Sequence, residues 1–123
     1  MRPLPVEPVA GVPSFVHGLA VIRGSATPVV DAATLLGATG SAPTRFVTVK
    51  AGPRRVALAV DAVVGIRAIP SESFASLPPL LQDSSVDAIS AIATLDAELM
   101  LVLRSTRLVP DDAWAALEAD EPA

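Results

Sequence analysis

Short apolar runs separated by turn-forming residues dominate the chain, a pattern that predicts a mostly β protein. Residues 1–17 contain four prolines, and we expect this segment to be extended or irregular, because proline fixes its own backbone and restricts its predecessor. The apolar run at residues 18–22 predicts a buried strand. Residues 23–25 then predict a turn, and residues 27–30 the strand that returns from it.

Two positions carry signals for short helices. Asp31 follows the second predicted strand and is placed to cap a helix over residues 32–36, which Gly37 would close. Near the carboxyl end, the acidic pair at residues 111–112 precedes an apolar stretch at residues 113–117. Because acidic side chains are favourable at the positive end of a helix, this pair predicts a second helix start.

The remaining apolar segments predict further strands, and the residues between them predict loops. Strands are expected at residues 45–50, 56–60, 63–69, 89–95 and 99–103, with turns or loops at residues 38–44, 51–54, 71–81 and 96–97. The strand at residues 63–69 is inferred from its branched side chains, and Pro70 would end it. We therefore expect short strands with small helices between them and at the carboxyl end.

An internal similarity is visible at an offset of 73 positions, which places Asp31 on Arg104. At this offset residues 20–24 meet residues 93–97, and both copies read as strand, tight turn, strand and short helix. A chance match between apolar runs explains the pattern equally well. If the similarity is real, the chain contains two related small β-barrels rather than one sandwich.

Composition and charge narrow the possible partners. Apolar residues make up 51% of the 123 residues, which is enough for a core, and the net charge is −4 with no run of basic residues. We therefore expect no nucleic-acid partner and no direct membrane insertion. The chain has no cysteine and no signal-peptide pattern, and we expect it to be cytoplasmic.

The sequence contains no residue pattern typical of catalysis. His17 is the only histidine, and a metal site without cysteine would need several carboxylates around it, whereas the acidic residues are scattered or terminal. Glycine patterns for phosphate or dinucleotide binding are absent, as is a Gly-x-Ser-x-Gly turn. We expect no enzyme activity, cofactor or metal, and a loop or partner contact for His17. A small β-barrel enzyme or ligand binder is the alternative, which a buried polar pocket around His17 would favour.

The turn at Arg23 allows two interpretations. An arginine between an apolar strand and Gly24 is often an ordinary solvated turn residue. Alternatively, Gly24 adopts a positive backbone angle that holds the guanidinium in place, where its donors suit carboxylate or carbonyl recognition at an interface. The spacing alone leaves both interpretations open.

The residues around this turn resemble a pattern of the CheW-like chemotaxis adaptor family. Residues 12–24 read Val-Pro-Ser-Phe-Val-His-Gly-Leu-Ala-Val-Ile-Arg-Gly, similar to the family's proline, hydrophobic pair, glycine and Asn-Leu-Arg-Gly turn. Val21 and Ile22 replace the usual asparagine and leucine, whereas Arg23 and Gly24 match the pattern.

The resemblance extends along most of the chain. Residues 28–31 are similar to the family's Pro-Val-Ile-Asp, residues 56–63 to a strand that ends in Val-Asp, and residues 89–108 to its closing strand pair. The resemblance implies one CheW-like domain over residues 1–123, made of two interleaved SH3-like five-stranded β-barrels.

The resemblance also implies a function. Family members are non-enzymatic scaffolds that couple the cytoplasmic tips of chemoreceptors to the regulatory domain of the histidine kinase CheA, at arrays on the inner face of the membrane. The receptor tip packs in the groove between the two barrels. The positions that match its receptor-binding residues are Gly18, Arg23 and Ile66.

One departure from the family concerns the start of the chain. Family members usually begin with two further strands, so we expect the first barrel to be incomplete and shortened at its amino end. A barrel that lacks two strands exposes backbone edges, which predicts self-association through those edges. The alternative function is a CheW-like interaction module of another sensory pathway, or one cut from a larger kinase or scaffold.

Overall fold

A computed structural model of the chain describes residues 1–37, 42–75, 89–95 and 98–119. Within these residues the chain forms short strands and two helices, which confirms the mostly β fold expected from the sequence. The strands are β1 (Val16–Ile22), β2 (Ser25–Asp31), β3 (Arg45–Ala51), β4 (Arg54–Val60), β5 (Phe74–Ala75), β6 (Ile89–Leu95) and β7 (Glu98–Leu103), and the helices are α1 (Ala32–Leu35) and α2 (Asp111–Ala119).

The described strands form two sheets. The first has four strands in the order β1-β2-β4-β3, in which two antiparallel hairpins are joined by parallel pairing of β2 with β4. The second has three antiparallel strands in the order β5-β6-β7. The interleaved five-stranded barrels stay a prediction, since the described strands give a four-stranded and a three-stranded sheet. The turn expected at residues 96–97 lies outside the described residues.

The two hairpins β1–β2 and β6–β7 repeat the same register. Val16 pairs with Val30 in the first hairpin, and 73 positions later Ile89 pairs with Leu103 in the second. Both hairpins have a register irregularity immediately after this pair. β2 continues into α1, and β7 is followed by a 3₁₀ turn. These equivalences confirm that the internal similarity is structural and not a chance match.

Both predicted helix starts are confirmed. Asp31 caps α1, because its carboxylate accepts a hydrogen bond from the Thr34 amide over 3.2 Å, and Gly37 follows the helix with a φ of +89°. At the start of α2 the Asp112 carboxylate accepts a hydrogen bond from the Ala113 amide over 3.0 Å. Each of these hydrogen bonds satisfies a first-turn amide that has no partner inside its helix.

The strand predicted at residues 63–69 is wrong, because this segment forms neither helix nor strand. Val64 and Ile66 are 88% and 103% exposed, and Gly65 has a φ of +122°. Branched side chains favour strands only where they pack on a half-buried pleated surface. Among the described strand pairings none involves this segment, so its side chains have no such surface.

Residues 1–15, the amino-terminal segment, form neither helix nor strand, as their prolines predict, whereas β1 begins two residues earlier than the range 1–17 implied. The segment nevertheless pairs with both outer strands of the four-stranded sheet. The amide and carbonyl of Glu7 pair with the carbonyl and amide of Leu19 in β1, over 2.8 and 2.9 Å. The backbone of Met1 makes the same two bonds with Phe46 in β3, over 2.9 and 2.8 Å. Each outer strand therefore carries a backbone partner, and the edges are less open than the sequence suggested.

The larger of two core clusters joins the four-stranded sheet to α2. Ala113 and Leu117, one helical turn apart, form the buried face of α2 and pack with Leu108 and with side chains of β1, β2 and β4. Full burial of a leucine contributes about 1.5–3 kcal/mol, so this contact holds α2 in place. The second cluster contains Phe46, Ile22, Val29 and three alanines of the sheet, with Val6 packed against it.

Candidate partner-binding site

The turn between β1 and β2 consists of Arg23 and Gly24, closed by the pair Ile22 and Ser25. Gly24 has a φ of +79°. This is the positive backbone angle expected at Gly24 if the turn holds the guanidinium of Arg23 in place. Arg23 itself has a φ of +52°. Two consecutive positive φ angles are typical of the type I′ turn, whose twist matches that of the flanking strands. A positive φ is uncommon for a residue other than glycine, and the sequence did not predict it for Arg23.

Parallel pairing brings a second turn beside this one. β2 and β4 run in the same direction, with Val29 beside Ala57, so both strands begin at the same end of the sheet. The turn at residues 52–53 therefore lies next to the turn at Arg23. Arg54 and Arg55 are the first two residues of β4 and lie at this end as well.

These two turns and α2 enclose a groove of about 520 Å³, which we call the turn groove. Arg23, Arg54 and Arg55 line it, together with Trp114 and Glu118 of α2. Since adjacent residues of a strand point to opposite faces, a groove lined by both Arg54 and Arg55 wraps around the end of the sheet.

Arg54 is oriented by two contacts with α2. Its guanidinium carbon lies 4.4 Å from the centroid of the Trp114 ring, and one of its nitrogens lies 2.6 Å from Oε1 of Glu118. Both ion-pair partners are about half exposed, so the pair contributes at most about 1 kcal/mol, and the ring contact contributes a similar amount. Among the described residues Arg23 and Arg55 have no ion-pair partner.

Gly18 is buried in β1 with a φ of +138°. A Cβ atom at this position would lie 1.9 Å from the carbonyl oxygen of Glu7, far inside van der Waals contact. Gly18 is therefore the residue that allows the amino-terminal segment to lie against β1. A direct contact between Gly18 and a receptor stays a prediction.

Ile66 lies in the irregular segment and not on the strand from which its role was inferred. Its side chain is exposed, as are those of Val63 and Val64, so this segment presents three apolar side chains to solvent within four residues. Neither Ile66 nor Gly18 is among the described residues that line the turn groove. Of the three predicted partner-binding residues, only Arg23 lines this groove.

His17 lies in β1, so the loop position expected from the sequence is wrong, whereas a partner contact for His17 stays a prediction. Its Nε2 is 3.2 Å from Oδ2 of Asp31, whose side chain is only 4% exposed while that of His17 is 39% exposed. A buried carboxylate needs partners, and Asp31 has His17 in addition to the Thr34 amide. In the described part of the chain no group of three or more acidic or histidine side chains is placed to hold a metal ion.

Sequence reasoning missed Arg54, Arg55, Trp114 and Glu118 as members of one site. The available signal was the pair of arginines directly after a Gly-Pro turn, the second basic turn of the chain. That signal becomes informative only when the parallel pairing of β2 with β4 is known.

None of the described helices is long and apolar enough to cross a membrane.

Comparisons with known proteins agree with the fold. The family model described as CheW-like domain matches residues 1–113. The crystal structure of the scaffolding protein TtCheW from Thermoanaerobacter tengcongensis is similar, with a TM-score of 0.70, 22% sequence identity and coverage of 85% of this chain and 73% of that chain. No curated protein matches the sequence. Because the family model covers most of the chain, this protein belongs to the CheW-like domain family.

Proposed function

We propose that this protein is a non-enzymatic scaffold of bacterial chemotaxis, which couples chemoreceptors to the regulatory domain of the histidine kinase CheA. The observation that carries the proposal is the CheW-like domain match over residues 1–113. The fold it shares with a solved scaffolding protein supports it. In this role the chain acts in the cytoplasm, at the receptor tips, and requires no cofactor.

Ile66 provides the apolar part of the proposed receptor contact. Its side chain is fully exposed in the isolated chain, and Val64 beside it is nearly so. Burial of one such side chain contributes about 1.5–3 kcal/mol. A micromolar complex corresponds to about 8 kcal/mol, so Ile66 alone supplies a substantial share of the binding free energy.

Arg23 provides the polar part. Its backbone is fixed in a two-residue turn, which limits the positions that the guanidinium can adopt. Arginine donors suit the carboxylates and carbonyls of a receptor tip, and a hydrogen bond to a charged group contributes about 1.5–3 kcal/mol. Gly18 lies in β1, the strand that leads into the Arg23 turn, and its part in receptor binding is either a direct contact or the placement of the amino-terminal segment against this strand.

The test is a pair of titrations, one with a receptor-tip fragment and one with the regulatory domain of a CheA kinase from the same genome. The variants are Arg23→Ala and Ile66→Ala, with Arg45→Ala as the matched control. Arg45 is an exposed arginine of the same sheet, but it pairs with Val60 at the opposite end of β4. We expect Arg23→Ala and Ile66→Ala to weaken receptor binding about tenfold, and Arg45→Ala to leave it unchanged.

Two results would count against the proposal. Equal losses for Arg23→Ala and Arg45→Ala would mean that general charge, and not the turn, determines receptor binding. A chain that is folded by circular dichroism but binds neither the kinase domain nor the receptor fragment would contradict the scaffold function itself.

A further inference from the structure

The turn groove concentrates positive charge in a chain of net charge −4. Three arginines line it, and the carboxylate of Glu118 is the one acidic group among its described lining residues. That carboxylate is already engaged by Arg54 at 2.6 Å. Arg23 and Arg55 therefore supply two positive charges without an ion-pair partner in the described residues.

The groove also has an apolar wall. Trp114 and Pro28 line both the turn groove and a small adjoining pocket of about 30 Å³, which Leu19 and Leu117 complete. The volume of the turn groove lies within the range of about 300–1,000 Å³ that is typical of ligand-binding clefts. Guanidinium groups beside an aromatic wall fit a ligand that carries both carboxylates and an aliphatic side chain.

We propose that the turn groove binds an acidic segment of a partner protein, with carboxylates at Arg23 and Arg55 and an aliphatic side chain against Trp114. The proposal rests on the proposed function and deepens it, because it gives the chemistry of one partner contact. Arg54 does not serve as a third anion contact, since Glu118 holds it; it positions the ring of Trp114. Charge complementarity selects this occupant over a basic or neutral segment.

Trp114 makes the groove directly observable. It is the only tryptophan of a chain without tyrosine, so its emission reports on the groove without background from other indole or phenol side chains. The probe is a capped peptide of alternating glutamate and leucine, and the control peptide has glutamine in place of every glutamate. We expect a saturable change in emission with the glutamate peptide and at least about tenfold weaker binding of the glutamine peptide. An increase in salt from about 0.05 M to about 0.5 M should weaken binding of the glutamate peptide, because salt screens the charges.

The matched variants are Arg55→Gln and Arg45→Gln, which remove one exposed arginine from either end of the β3–β4 hairpin. We expect Arg55→Gln to weaken binding of the glutamate peptide about fivefold and Arg45→Gln to change its affinity less than about twofold. Both side chains are exposed, so urea unfolding should give the same midpoint for both variants and confirm that neither effect comes from misfolding.

The proposal is overturned if the glutamine peptide binds as well as the glutamate peptide, or if the two arginine variants behave alike. Tighter binding of inorganic polyphosphate or of a single-stranded oligonucleotide would also overturn it, because the groove would then be a phosphate site. The peptide assay contains neither receptor nor kinase. A chain that binds the peptide but neither the kinase nor the receptor would therefore contradict only the proposed function. A chain that binds the kinase and the receptor but not the peptide would contradict only the inference about the groove.

Discussion

Replacement of Gly18 by alanine separates two roles that this residue could have in partner binding. One role is direct contact with a receptor, and the other is to let the amino-terminal segment lie on β1. A new Cβ would lie 1.9 Å from the carbonyl oxygen of Glu7, and the obstacle is backbone, which cannot rotate away like the end of a flexible side chain. The variant should therefore push residues near Glu7 away from the sheet.

The cost of the substitution has two parts. Displacement of Glu7 breaks its two backbone hydrogen bonds with Leu19, each worth about 0.5–1.5 kcal/mol. The φ of +138° adds about 1–3 kcal/mol of backbone strain for alanine. The free energy of unfolding should fall by about 2–6 kcal/mol, a large fraction of the roughly 5–15 kcal/mol of a typical domain.

Gly52→Ala is the matched control. Gly52 also has a positive φ, +67°, but a Cβ there would meet nothing within 4 Å. This control should therefore cost only about 1 kcal/mol, from backbone strain alone. Urea unfolding followed by Trp114 fluorescence gives both free energies, and hydrogen exchange should reveal faster exchange at the Glu7 and Leu19 amides in Gly18→Ala only.

Equal stability of the two variants, with the Glu7 and Leu19 amides still protected in Gly18→Ala, would refute the reasoning. If receptor binding were nevertheless lost in that stable variant, Gly18 would contact the receptor directly. Loss of binding together with loss of protection would instead assign Gly18 a positioning role.

Three further outcomes are expected. Asp31→Ala should lower the free energy of unfolding by about 1–3 kcal/mol, because α1 loses its cap and His17 loses its carboxylate partner. Asp31→Asn should cost less, because its side-chain oxygen still caps the helix. Equal free energies of unfolding for the two variants in urea would contradict this reasoning. Ile66→Ala should change stability by less than about 0.5 kcal/mol, because the side chain is wholly exposed, and a larger shift of the urea midpoint would mean that Ile66 is packed. The full chain should self-associate through the remaining strand edges. Deletion of residues 1–7 should increase this self-association, because the deletion removes the backbone partners of β1 and β3. Sedimentation of both forms as monomers, 12.6 kDa for the full chain, would contradict the prediction.

The features that the sequence predicted correctly are those set by neighbouring residues. A glycine after Arg23 defines a hairpin turn, and an aspartate before a short apolar stretch defines a helix cap, whatever the rest of the chain does. The internal repeat was visible for the same reason, since each copy carries its own strand-turn-strand pattern.

The features that the sequence could not give depend on distant residues. Val64 and Ile66 have strand-forming side chains, but a strand needs a neighbour, and apolar pattern does not reveal that none of the described strands pairs with them. Arg23 and Arg55 line the same groove only because β2 pairs in parallel with β4, and Gly18 contacts Glu7 only because the amino-terminal segment folds back. The turn groove follows from these long-range pairings.

The measurement that tests the scaffold function most directly is a three-component sedimentation experiment. The components are this chain, the regulatory domain of a CheA kinase from the same genome and a receptor-tip fragment, each also run alone and in pairs. A scaffold predicts a species that contains all three components and that disappears when this chain is left out. A chain proved folded that sediments apart from both partners would contradict the proposed function.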